Sequence, residues 1–143
     1  MSQHFIGVDL GGTKIAAAVL NLESGQITAR KTVPTQGHEG PDTVLKRMAD
    51  LVRNLASEAG LSMEAIGGVG VGVPATVDSA AGITLVLPNL PGDWVRKPVV
   101  AILENHLNRP VYLINDARAF TLAEATLGAG RGAETVVGVT LGT

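Results

Sequence analysis

The chain has 143 residues, enough for one modest domain or for part of a larger one, and its 45% hydrophobic but only 3% aromatic composition predicts an aliphatic core. Its 18 glycines favour an α/β protein with buried strands and tight turns. The net charge of −2 excludes a basic surface for nucleic acid, and the lack of cysteine excludes disulfides and thiolate metal sites. No apolar run is long enough to span a membrane. We therefore expect a cytoplasmic protein with neither nucleic-acid nor membrane partners.

The first third of the chain predicts an antiparallel meander of three strands. Residues 5–10 and 14–22 are short apolar runs, and residues 26–35 alternate like a strand with one wet face. Gly25 marks the turn between the second and third strands. Two such turns in succession indicate neighbouring antiparallel strands.

A helix is predicted over residues 41–60, because apolar residues recur there at helical spacing. These residues are Val44, Leu45, Met48, Leu51, Val52, Leu55 and Ala59. We expect Asp42 or Thr43 to cap the start of this helix and Gly60 to end it.

The rest of the chain predicts alternating strands and helices. In order, these are a glycine-interleaved strand within 65–76 that Pro74 ends, a strand within 82–94 that enters a polar loop, a helix over 98–107, a buried strand over 109–116, a helix over 117–128 and a last strand over 134–143. Nothing follows that last strand to cover it, so we expect the chain to be truncated. The order βββαββαβαβ predicts a mixed sheet flanked by helices, in which ligands bind at the carboxyl ends of strands.

The turn after the first strand has the residues of a phosphate site. Gly11 and Gly12 can adopt positive φ and turn successive N–H groups inward, Thr13 adds a hydroxyl, and Lys14 could add a positive charge. Asp9 would repel a bare phosphate, so its presence implies a metal ion or water between it and a nucleotide. A plain hairpin turn is the alternative.

Asn115 and Asp116 lie where a buried strand ends and a helix begins. Asp116 could be a general base that accepts a proton from a substrate hydroxyl, with Asn115 hydrogen-bonded to a neighbouring hydroxyl. The helix N-terminus would keep Asp116 ionised, so positioning would supply most of the catalysis. The alternative is that Asp116 is simply the N-cap of the helix.

The loop "LPNLPGDW", residues 87–94, is the third candidate. Its prolines restrict the backbone, and the amide of Asn89 offers the donor and the acceptor that a sugar hydroxyl requires. Trp94 could line a sugar site, but anchoring the loop in the core is the more common role for a lone tryptophan.

Taken together, "VDLGGTK", "GVGVPATVD", "PNLPG", "NDARAFTLAE" and "GVTLGT" occur in an order that closely resembles the ROK family of sugar kinases and repressors. The resemblance spans nearly the whole chain. It implies the actin-like ATPase fold, with two ribonuclease-H-like α/β domains around a cleft. It also implies ATP-dependent phosphorylation of a hexose such as glucose or a hexosamine, at the 6-hydroxyl, with Mg²⁺.

The resemblance assigns roles to individual residues. Nucleotide binding is implied for Asp9, Gly11, Gly12, Thr13 and Lys14, and for Gly142 and Thr143 at the start of a second phosphate motif. Sugar binding is implied for Asn89, Asn115 and Asp116, with Asp116 as the catalytic base.

By the same resemblance, residues 1–115 form the small domain and residues 116–143 only the start of the large one. No metal ligand is assigned within the chain, because the family zinc site would lie beyond Thr143. We expect a homodimer for the full-length protein, and no ATP turnover by residues 1–143 alone.

Two other functions are weighed against the kinase. One is a sugar-sensing regulator of the same family that binds sugar without transferring phosphate. The other is an actin-like ATPase that does not act on sugars, which "PNLPG" and the Asn-Asp pair disfavour. Only eight residues precede Asp9 and none forms a basic helix, which favours a kinase over a DNA-binding repressor.

Overall fold

A five-stranded mixed sheet is the centre of the computed structural model, which describes residues 3–141. Its strands are β1 (His4–Leu10), β2 (Lys14–Asn21), β3 (Gln26–Pro34), β4 (Ile66–Val73) and β7 (Val111–Asn115), in the spatial order β3-β2-β1-β4-β7. The first three pair antiparallel, and β1, β4 and β7 run parallel. The predicted meander and mixed sheet are confirmed.

Two helices cover one face of this sheet. Helix α1 (Pro41–Glu58) packs on β1, β2 and β3, and α2 (Val99–Leu107) packs on β7 and on α1. Eight apolar residues of α1 are buried, namely Val44, Leu45, Met48, Ala49, Leu51, Val52, Leu55 and Ala56. The helical spacing therefore placed the core face of α1 correctly.

The start of α1 differs from the expectation. Its N-cap is Gly40, no side chain caps it, and Pro41 occupies the first turn, where its missing N–H costs nothing. Asp42 and Thr43 both lie within the first turn and do not cap it, and the Asp42 carboxylate forms a 2.7 Å ion pair with Lys97. At the other end Gly60, with φ of +72°, follows the last helical turn as predicted.

The second face of the sheet carries the polar and small residues. Along β1, Ile6, Val8 and Leu10 are buried against the helices, whereas Gly7 and Asp9 alternate with them and face the opposite side. Since side chains alternate along a strand, burying the aliphatic set places Asp9 on the other face. Helix α3 (Asp116–Thr126) contacts β7 and β4.

The strand predicted within 82–94 pairs outside the main sheet. It is β6 (Ile83–Val86), which forms a separate two-stranded sheet with β5 (Thr76–Asp78), a short strand that the sequence did not indicate. Asn89 consequently follows this small hairpin, and the expectation that it ends a strand of the main sheet is wrong.

The predicted last strand is also wrong over the residues described. Residues 134–141 form no strand, and Val137, Val139 and Leu141 are 82%, 71% and 95% exposed. A strand requires a hydrogen-bonded neighbour, and residues 134–141 pair with no strand among the described residues. Among residues 3–141 no helix is long and apolar enough to cross a membrane.

Candidate active site

Asp9 lies near the carboxyl end of β1, on the face of the sheet opposite α1. It pairs in register with Gly72 of the parallel strand β4 and with Ala16 of β2. Partial burial raises the pKa of Asp9 above its ordinary value, the negative charge of Asp116 raises this pKa further, and Lys14 lowers it. The influence of Asp116 shows that the two carboxylates act on one another across the strand ends.

Asp116 is the first residue of α3, and Asn115 before it is the N-cap. The side-chain oxygen of Asn115 accepts a 3.1 Å hydrogen bond from the Arg118 amide, while its Nδ2 donates to the Ala75 carbonyl at 3.1 Å and to Asp116 Oδ1 at 3.2 Å. The alternative in which Asp116 caps the helix is therefore wrong. Asn115 uses both amide hydrogens within the chain, which leaves acceptor capacity on its oxygen for a ligand.

The Asp116 carboxylate is held in place by two hydrogen bonds. Its Oδ1 accepts a 2.7 Å hydrogen bond from the Ala117 amide as well as the bond from Asn115. Both donors lie at the N-terminus of α3 and hold the carboxylate by hydrogen bonds to one of its oxygens. The side chain is thus oriented by its own helix start.

A groove of about 900 Å³ has both Asp9 and Asp116 in its lining. Its lining includes small residues of the strands on either side of β1, among them Ala16 of β2 and Gly70 and Gly72 of β4. A Cβ atom added at Gly72 would lie 3.7 Å from the Asp116 Cα, so glycine at this position leaves the groove open beside Asp116.

The glycine turn between β1 and β2 owes its shape to close contacts. Neither Gly11 nor Gly12 has positive φ, so the expected reason for glycine there is wrong. A Cβ atom on Gly11 would lie 2.9 Å from the Lys14 carbonyl oxygen, which accepts the 2.9 Å hydrogen bond from the Gly11 amide that closes the turn. Glycine is required at position 11 because a side chain there would clash with the Lys14 carbonyl oxygen when the turn closes, which we call steric closure.

Asn89 lies beside this turn and outside the lining of the groove. A Cβ atom on Gly12 would lie 3.5 Å from the Asn89 carbonyl oxygen. Trp94 anchors the loop that carries Asn89, since it is 2% exposed and its Nε1 donates to the Pro91 carbonyl at 3.1 Å. The anchoring role predicted for Trp94 is confirmed.

The sequence did not indicate Thr35, which is fully buried immediately after β3. Its hydroxyl donates to the Gly11 carbonyl at 2.7 Å, and its amide donates to the Thr13 carbonyl at 2.9 Å. The only signal in the sequence was a threonine between a predicted strand and a Gln-Gly pair. That signal is too common to single the residue out.

The carboxylates of the groove match the ligands that Mg²⁺ takes together with a nucleotide. Within residues 3–141 no three His, Cys, Asp or Glu side chains are grouped to hold a metal by themselves. Mg²⁺ usually binds through one or two carboxylates and substrate phosphates, and Asp9 and Asp116 provide such a pair. Gly142 and Thr143, predicted to begin a second phosphate motif, lie outside the described residues.

Comparisons with known proteins agree on one family. A family model described as "ROK family" matches residues 5–143. The chain is 37% identical over 138 residues to a glucokinase of Thermotoga maritima, covering 96% of the chain and 41% of that protein. It is 30% identical over 123 residues to a xylose repressor of Caldicellulosiruptor bescii, covering 86% of the chain and 30% of that protein.

Among solved structures, a ROK family glucokinase from Streptomyces griseus in complex with glucose and AMPPNP superposes with a TM-score of 0.78. The two are 32% identical, and the match covers 90% of this chain and 38% of that one. The α/β fold expected from the sequence, with its actin-like ATPase architecture, is shared with this neighbour. The chain spans about two fifths of the length of the relatives that it matches.

Proposed function

The chain belongs to the ROK family, and on that premise we propose that the protein carrying it is an ATP-dependent sugar kinase that phosphorylates a hexose. One observation carries the proposal. Asp9 and Asp116 come from stretches more than 100 residues apart, yet they line one groove and influence each other electrostatically. A nucleotide held at the first and a sugar hydroxyl held at the second would be close enough to react.

In the proposed mechanism Asp116 accepts the proton of the 6-hydroxyl of the hexose as this oxygen attacks the γ-phosphorus of ATP, while the bond to the β,γ-bridging oxygen breaks and ADP leaves. Its hydrogen bonds to the Ala117 amide and to Asn115 leave the second carboxylate oxygen for the substrate. Because these bonds fix the orientation of the carboxylate, the proposed catalytic gain comes from positioning Asp116 against the hydroxyl.

The glycine turn is the proposed phosphate site. Gly11 would shape the turn, since its amide is bonded to the Lys14 carbonyl, while Gly12 and Thr13 would present their amides and the Thr13 hydroxyl to phosphate oxygens, with the positive charge of Lys14 beside them. Mg²⁺ bound near Asp9 would neutralise charge on the transferred phosphoryl group. Residues 142 and 143 would continue the phosphate site.

The sugar would be bound by Asn89 and Asn115 together with Asp116. The Asn115 oxygen retains acceptor capacity, and Asn89 extends from an exposed loop beside the glycine turn. The proposal includes glucose or a hexosamine as substrate, a homodimer as the assembly, and a boundary between a small domain of residues 1–115 and a large domain that begins at 116.

The test is substitution of the proposed base in the complete protein. Asp116→Asn should lower kcat by about 10²- to 10⁴-fold with little change in hexose affinity, because it removes the base and keeps the shape. Asp50→Asn is the matched control, since Asp50 pairs with Lys46 and Arg53 on the solvent face of α1. A loss below about tenfold for Asp116→Asn would refute the assignment of the base.

A sugar-sensing regulator is the second candidate, favoured by the similarity to a xylose repressor. A panel of hexoses separates the two functions. A kinase produces ADP in proportion to hexose phosphate, whereas a sensor is stabilised against heat by a sugar without producing ADP.

A further inference from the structure

The hydroxyl, amide and carbonyl of Thr35 are all hydrogen-bonded, and the hydroxyl and amide bond to the glycine turn. The hydroxyl donates to the Gly11 carbonyl at 2.7 Å and the amide donates to the Thr13 carbonyl at 2.9 Å. The third group, its own carbonyl, accepts a 2.6 Å hydrogen bond from Nη1 of Arg47 in α1. Thr35 therefore ties the turn to the long helix behind it.

These bonds decide which way the peptide groups of the turn face. A trans peptide is planar, with its C=O and N–H pointing in opposite directions. Because Thr35 holds the carbonyls of Gly11 and Thr13, the amides of the same two peptides, on Gly12 and Lys14, are turned away from Thr35. The Thr35 hydroxyl thus sets the orientation of the Gly12 N–H, and the Thr35 amide sets that of the Lys14 N–H, although Thr35 touches neither N–H group.

The backbone after Thr35 shows that this arrangement has a cost. Gln36 has φ of 50° and ψ of 49°, in the left-handed region that is unfavourable for a residue with a side chain. The turn lets Glu39 reach Nη2 of Arg47, which completes the support of the Thr35 carbonyl. Strain of this kind persists where surrounding contacts hold it in place.

We propose that Thr35 is a positioning residue for the nucleotide, because its hydroxyl and amide hold the Gly11–Thr13 turn with its amides pre-aligned for phosphate oxygens. This inference rests on the proposed function. It predicts that losing the hydroxyl weakens ATP binding and leaves hexose binding unchanged, since Thr35 makes no bond to the loop that carries Asn89.

Thr84 provides a matched control, because it is the other fully buried polar residue among the described residues. Its hydroxyl bonds to the carbonyl of Trp94, and its amide donates to the Lys97 carbonyl at 3.1 Å. Thr84 therefore braces the Asn89 loop as Thr35 braces the glycine turn. The same substitution at both sites removes one buried hydroxyl from each.

The experiment compares Thr35→Val, Thr35→Ser and Thr84→Val in the complete protein, with the equilibrium Kd for ATP and the KM values for ATP and hexose as readouts. Thr35→Val should raise the Kd and KM for ATP about tenfold, as expected for one lost hydrogen bond with a stranded carbonyl, and should change the hexose KM less than about twofold. Thr35→Ser should restore the wild-type values. Thr84→Val should leave the ATP constants unchanged.

Equal changes in the ATP and hexose constants of Thr35→Val, or unchanged ATP binding, would overturn the inference. If Thr35→Val does not fold, Arg47→Met takes its place and should weaken ATP binding about two- to fivefold by removing the support of the Thr35 carbonyl. A wild type that binds ATP but transfers no phosphate overturns the proposed function alone, and the ratio of Kd values still decides the role of Thr35. A wild type that binds no ATP overturns both.

Discussion

Replacing Gly11 by alanine should destabilise the turn between β1 and β2, whereas the same replacement at Gly12 should be tolerated. The two glycines are adjacent and neither has positive φ, so they differ only in what a methyl group would meet. At position 11 it would lie 2.9 Å from the Lys14 carbonyl oxygen, closer than such atoms approach. At position 12 it would lie 3.5 Å from the Asn89 oxygen, an ordinary contact.

The magnitude follows from what must move. The Lys14 oxygen is a backbone atom and also accepts the hydrogen bond of the Gly11 amide, so relieving the clash lengthens that bond. Overpacking costs about 1–3 kcal/mol and the hydrogen bond about 0.5–1.5 kcal/mol, which gives about 2–4 kcal/mol for Gly11→Ala. Gly12→Ala should raise the free energy of unfolding by at most about 1 kcal/mol, because alanine lowers the conformational entropy of the unfolded chain.

Urea unfolding of the complete protein, followed by far-UV circular dichroism, measures both variants against the wild type. The urea concentrations at the unfolding midpoint are compared between variants that have the same m-value, so that a change in midpoint reports a change in stability. Equal losses for the two variants, or a larger loss for Gly12→Ala, would refute steric closure as the reason for glycine at position 11.

Three further outcomes are expected. Trp94→Ala should cost about 3–5 kcal/mol in urea unfolding, and Val95→Ala, at a side chain that is 63% exposed, less than about 0.5 kcal/mol; similar losses would contradict the anchoring role of Trp94. Asn115→Ala should cost about 0.5–2 kcal/mol through the lost N-cap, with Asn115→Asp retaining most of the stability, and an unaffected alanine variant would argue against the cap. Because the pKa of Asp9 is higher in the folded protein than in the unfolded chain, ionisation of Asp9 destabilises the fold. The protein therefore has its full stability below pH 3.8, the ordinary pKa, and loses part of it as the pH rises through the pKa of Asp9 in the folded state. Without nucleotide or Mg²⁺, Asp9→Asn should therefore be more stable than wild type at neutral pH, with the advantage shrinking as pH falls towards 3.8, and a constant difference in melting temperature would disprove the raised pKa of Asp9 as its cause.

The local elements of the fold were predictable because each rests on a pattern within a short window. The apolar spacing of α1 identified its buried face, and the two early turns identified the meander of β1, β2 and β3. The elements that failed depend on partners. Residues 134–141 have the residues of a strand but no neighbouring strand to pair with, and β6 pairs with the unforeseen β5 instead of the main sheet.

The candidate site divides in the same way. Asp9, Asn115 and Asp116 were recognisable because carboxylates and amides at strand ends are chemically unusual. The capping of α3 by Asn115 and the function of Thr35 were not, since each depends on an atom brought close by folding. Whether Asp42 caps a helix or pairs with Lys97 likewise depends on a residue 55 positions away.

By itself the sequence determined the aliphatic core and most of the elements that supply it, and it singled out the carboxylate and amide side chains proposed for the site, because these follow from side-chain type and short-range periodicity. Only the tertiary structure decided that Asp9 and Asp116 line one groove and that Thr35 holds the glycine turn. The physical reason is strand order. Placing β4 between β1 and β7, all parallel, brings distant strand ends to one edge of the sheet, and no local pattern specifies that neighbourhood.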